Sequence, residues 1–114
     1  MDPDSDLPQL QALRLLMAQP NTSQRELSRA LGLSLGKTNY VLRSLLNKGL
    51  IKARNFRRSD NKLAYAYLLT PAGVREKLLM THRFLQRKEA EFEELQATIS
   101  ALRLEIDESS PPSR

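Results

Sequence analysis

The sequence predicts a mainly α-helical chain with one small β-hairpin and a long C-terminal helix, and three changes of apolar period carry the prediction. Apolar residues recur at three- and four-residue spacing from Leu10 to Met17 and again from Thr38 to Leu45, as on a helix with one buried face. Between Leu63 and Leu69 the period falls to two, as on a half-buried strand. From Leu78 to Ile106 it lengthens to seven, the repeat of a coiled coil.

Residues 1 to 6 are acidic, contain Pro3 and read as a disordered lead. A first helix begins at Leu7, presents Leu10, Leu13, Leu16 and Met17, and ends before Pro20. Ser23 with Glu26 three residues on forms a capping box, so a second helix runs from about Gln24 to Leu31. Gly32 suits the left-handed conformation that closes a helix, and Ser34 caps a third helix after a turn too short for anything but a helix pair. The third helix buries Thr38, Val41, Leu42 and Leu45 and stops at Gly49. Leu50 to Phe56 and Leu63 to Leu69 form the hairpin, with Arg57 to Lys62 as its turn. Thr70-Pro71 then reads as an N-cap followed by proline at the first helical position, where the missing amide costs nothing. This order is the layout of a winged helix-turn-helix, residues 7 to 70, a device that places one helix in the DNA major groove.

The helix that starts at Pro71 is predicted to reach Ile106, roughly 54 Å at 1.5 Å per residue, longer than so small a domain can cover. Leu78, Leu85, Phe92, Ile99 and Ile106 fall seven apart, and Leu95 and Leu102 fill the intermediate positions of the last two repeats. Thr81 and Lys88 interrupt that intermediate series, and the heptads leave parallel and antiparallel pairing open. These seven apolar residues are the candidate dimerisation seam of a homodimer. Residues 107 to 114, with Pro111-Pro112, read as a disordered tail.

Charge is divided along the chain. Residues 7 to 70 hold eleven Lys or Arg against two acids, Glu26 and Asp60, whereas residues 76 to 114 hold six basic and eight acidic side chains. A concentrated positive field attracts polyanions, and each phosphate neutralised on duplex DNA adds affinity through counterion release. The 114 residues contain no cysteine and no tryptophan, which removes disulfides and thiolate chemistry and fits a reducing compartment. No signal peptide or membrane span is read, so a cytoplasmic location is expected. With no Gly-rich phosphate loop, nucleophile elbow or catalytic carboxylate pair, an enzyme is not expected, and neither is a cofactor. His82 lacks neighbours at ligand spacing and reads as a side chain flanking the seam rather than a metal ligand.

The candidate DNA-binding residues follow from this layout. On the third helix Lys37 and Arg43 can reach phosphates or guanine acceptors, Asn39 can pair with adenine, and Tyr40 can lie on the sugar-phosphate chain or a thymine methyl. Arg57, Arg58 and Lys62 form the candidate wing tip, suited to a narrow minor groove or its phosphates. A different reading remains open, a winged-helix protein-interaction module with the coiled coil as an assembly stalk; it would favour apolar exposure on the third helix and a less basic hairpin.

The stretch from Ser23 to Leu50, the string Asn61-Lys-Leu-Ala-Tyr-Ala-Tyr-Leu-Leu-Thr-Pro-Ala-Gly73 and the heptad tail together resemble a short bacterial group of MarR-type winged-helix regulators associated with exopolysaccharide operons. The resemblance implies a homodimeric repressor or activator on duplex DNA, with Ser34, Lys37, Asn39, Tyr40 and Arg43 at the major groove and Arg54 to Lys62 as wing; the twofold symmetry of such a dimer predicts a palindromic operator. Typical MarR proteins dimerise through an added N-terminal helix and several C-terminal helices, and hold small phenolic ligands in the cleft beside them. The single C-terminal helix and the short segment before Leu7 depart from that pattern, so neither a small-molecule effector site nor that dimer geometry is carried over.

Overall fold

The computed structural model describes residues 6–61 and 63–109, and the backbone alone of Leu63. Three helices come first, α1 (Leu7–Ala18), α2 (Gln24–Leu31) and α3 (Leu35–Asn47), followed by strands β1 (Ile51–Arg57) and β2 (Leu63–Leu69) and a long helix α4 (Pro71–Ser109). The chain divides at Thr81/His82 into two compact units.

In the first unit each helix start is built as its local sequence requires. Ser23 and Ser34 stand in extended backbone and accept hydrogen bonds from the amides of Glu26 and Lys37, each at 3.1 Å. Only Ser23's half of the expected capping box is made among the described residues. Gly32 at φ 69° closes α2 with its amide on the Arg29 carbonyl, and Gly49 at φ 71° turns the chain from α3 into β1. Left-handed backbone of this kind is where a Cβ is most costly, so both turns select glycine.

Leu10, Ala12, Leu13 and Leu16 of α1 are buried against Leu27 of α2 and Val41, Leu42 and Leu45 of α3, with Leu50, Ile51, Ala66, Tyr67 and Met80 completing the core. Thr38 is wholly buried among them; its hydroxyl donates to the Ser34 carbonyl at 2.9 Å, which removes the cost of hiding a polar group. Met17, expected in the α1 stripe, is 51% exposed: the buried arc turns toward Ala12, leaving Met17 at its edge near the helix end.

The two strands pair antiparallel from Ile51 opposite Leu69 to Arg57 opposite Leu63, so Arg57 belongs to β1 rather than to the turn. The outer edge of β2 is tied to the helices where the Tyr67 amide donates to the Pro20 carbonyl at 3.2 Å. At its base the Thr70 hydroxyl donates to the Gly49 carbonyl at 2.6 Å and accepts from the Gly73 amide at 3.0 Å, capping α4 and fastening it to the end of α3. Gly73 lies so close to Leu50 that a Cβ there would overlap the Leu50 carbonyl oxygen. The Thr-Pro-x-Gly run is thus a cap, a helix start and a close backbone crossing in four residues.

In the second unit, His82 to Ser109 is uninterrupted helix with no buried residue. Two boundaries differ from expectation: Asp6, assigned to the lead, occupies a 3-10 turn, and residues 107–109, assigned to the tail, continue α4 because Asp107 and Glu108 add nothing that breaks a helix. Residues 1–5 and 110–114 lie outside the described residues.

Candidate nucleic-acid interface

The outward face of α3 is set by the core beneath it. With Thr38, Val41, Leu42 and Leu45 inward, the 100° step per residue places Asn39, Arg43, Gly36, Asn47, Tyr40 and Lys37 in one outward arc. Lys37, Asn39, Tyr40 and Arg43 are all exposed, Tyr40 at 76%. Two cations, an amide and a phenol on one helix face offer donors for phosphates, guanine and adenine edges together with an aromatic surface. Ser34 is exposed but its oxygen is engaged as the α3 cap, leaving its hydroxyl hydrogen to donate.

Gly36 completes this face and was not singled out from the sequence. Nothing lies within 4 Å of the point its Cβ would occupy, so the first turn of α3 presents bare backbone between Asn39 and Tyr40. A surface flush at that point can approach a groove floor more closely than any side chain would allow. The signal was present in the sequence as a glycine inside an otherwise good helix, where it costs about 1 kcal/mol relative to alanine and therefore calls for a reason. Leu35 beside it is also exposed, adding an apolar contact at the same helix end.

The hairpin does not gather its cations into one cluster. Strand alternation puts Lys52 and Arg54 on one face of the ribbon and Arg57 on the other. At the tip, Arg57 Nη1 donates to the backbone oxygen of Asn61 at 3.3 Å and to its side-chain oxygen at 3.5 Å, while Asn61 adopts φ 65° to close the turn. Arg58 Nε lies 3.8 Å from Asp60 Oδ1 with both side chains about half exposed. An exposed pair at that distance contributes about 0–1 kcal/mol and gives way readily to a phosphate. Lys62, the remaining predicted wing residue, lies outside the described residues.

Behind the wing is an open groove of about 780 Å³, bordered by Ser23, Gln24 and Glu26 at the start of α2 and by Arg57, Tyr65 and Tyr67 of the hairpin. Gln24 Nε2 reaches the Tyr67 hydroxyl at 3.5 Å across its floor. No group of three or more His, Asp or Glu among the described residues is placed to hold a metal ion, and no described helix is long and apolar enough to cross a membrane.

Residues 6–52 match the family model described as winged helix-turn-helix DNA-binding. The domain is a winged helix-turn-helix. No curated protein sequence is significantly similar to the chain. Among solved structures it is similar to the PcaV transcriptional regulator of Streptomyces coelicolor, at 21% identity and TM-score 0.64 over 91% of this chain and 75% of PcaV. It is similar also to a MarR/EmrR family transcriptional regulator from Acinetobacter sp. ADP1, at 22% identity and TM-score 0.57 over 88% and 75% of the two chains. A third likeness is to a variant of MepR from S. aureus bound to an oligodeoxyribonucleotide, at 20% identity and TM-score 0.56 over 87% and 78%.

Proposed function

We propose that this protein is a MarR-type transcriptional regulator that reads double-stranded DNA as a homodimer, with α3 in the major groove and the hairpin beside the adjoining phosphates. The observation that carries the proposal is the outward arc of α3. An amphipathic helix needs only some polar face, yet this one combines Lys37, Arg43, Asn39 and Tyr40 around an uncovered Gly36 within a region that is basic throughout. The DNA-bound state of a MepR variant with the same fold supports that use of the domain. The exposed apolar heptads of α4 support dimerisation, since Leu85, Phe92, Leu95 and Leu102 are each more than half exposed in the single chain. The resemblance to the exopolysaccharide-associated group supports polysaccharide biosynthesis genes as targets. Nothing in the α3 face favours a protein-docking module, because its outward arc is mostly polar.

Selection from random duplexes followed by gel shift tests the proposal. A palindrome with half-sites about 10 base pairs, or a multiple of that, apart is the expected outcome. Salt-sensitive binding to every duplex alike, with no enriched palindrome, would overturn it.

A further inference from the structure

The exposed seam of α4 carries a charge pattern that distinguishes one pairing of two copies from the other. Residues 82 to 88 contain Arg83, Arg87 and Lys88 and no acid; residues 89 to 94 contain four glutamates; and residues 105 to 108 contain Glu105, Asp107 and Glu108. The helix continues to Ser109, so Glu105 flanks the seam and Asp107 and Glu108 stand on regular outer helical positions rather than in a tail. The basic end is also ordered: Arg87 Cζ and Lys88 Nζ lie 5.8 and 5.3 Å from the centre of the Phe84 ring, and Lys88 Nζ donates to Glu91 Oε2 at 3.1 Å.

In a parallel pair each residue lies alongside its own twin. Lys88 occupies an intermediate seam position, so two ammonium groups would meet in the interface. Like charges in such positions are destabilising. Reversing one helix separates the two ammonium groups and sets each Lys88 near an acidic side chain of the other copy instead.

We propose that two copies pair antiparallel through α4, centred near Ala97, an inference that rests on the homodimer proposed above and adds its direction and register. In that register Phe92 packs on Leu102 of the second copy and Leu95 on Ile99, giving four contiguous apolar layers through the middle by symmetry. Lys88 falls at each end, against Ile106 of the second copy and next to Glu105, where its long side chain can reach solvent and screen Glu91 from Glu105. Glu89 lies beside Arg103 of the second copy.

Because the chain has no cysteine, single spin labels can be placed at Gln86→Cys and at Ser100→Cys, both exposed, off the seam and two heptads apart. Antiparallel pairing about Ala97 puts the two Gln86 sites about 33 Å apart along the axis and the two Ser100 sites about 9 Å apart, at 1.5 Å per residue. Dipolar distance measurement on each labelled full-length chain should therefore return a much longer distance at residue 86 than at residue 100. Equal distances at the two sites would overturn the orientation and register while leaving the dimer intact. Absence of coupling at both sites, with a monomeric mass in solution, would overturn the dimer and this inference together.

Discussion

The two halves of this molecule answer the same physical demand in opposite ways. Up to Thr81 the chain builds a core of its own: Leu13, Leu16, Leu27, Leu42 and Leu45 are essentially inaccessible, and the one buried hydroxyl in the α3 stripe has its acceptor. From His82 to Ser109 nothing is buried, although leucine, isoleucine and phenylalanine recur with a regular period. A helix whose apolar stripe is left open by its own chain is stabilised only modestly by propensity, and in the proposed dimer a second copy supplies the cover. On that proposal, folding and assembly fall to separate stretches of sequence. Variants should therefore sort cleanly by half.

The largest effects are expected in the core. Leu45→Ala removes a fully buried side chain beneath the α3 face and should lower unfolding free energy by about 2–5 kcal/mol, measured by urea denaturation. Gly73→Val forces side-chain atoms toward the Leu50 carbonyl and should destabilise by about 1–3 kcal/mol or more, while Ala72→Val nearby should not. If either core change left stability intact but altered mass in solution, the division between halves would fail. Arg43→Ala should leave stability unchanged, cost about 1–3 kcal/mol of DNA affinity and relax one operator position if it contacts a base, as gel shifts on single-base variants would reveal. Ser34→Ala removes the α3 cap and should cost about 1 kcal/mol of stability. The smallest change should come from Arg58→Ala, which weakens binding to all duplexes alike and flattens the dependence of affinity on salt.

The parts legible in the sequence are those settled within a few residues. The caps at Ser23, Ser34 and Thr70, the closing glycines at positions 32 and 49, and the four inward positions of α3 each depend on spacings of three or four, and the structure places them as read. What escaped depends on contacts between distant segments. Met80 is buried without having been marked by the periodicity, while Leu78 is exposed as a seam position would be, because the path of α4 across the core decides which apolar position faces inward. The need for Gly73 arises from Leu50, twenty-three positions earlier, and the anchoring of Tyr67 arises from a carbonyl at Pro20. At the candidate site, composition identified the cations, but the turn at Asn61 decides that Arg57 is held and that the wing's charges divide between two faces.

On the proposed function, the first half reads DNA and the second half makes the reader double. Light scattering on the selected palindromic duplex, with the wild-type chain and with Leu95→Lys, tests both parts at once. Two chains per duplex are expected for the wild type, and for the variant a folded monomer whose affinity for that duplex falls many-fold. A variant that binds the same duplex as tightly as the wild type, one chain at a time, would contradict it.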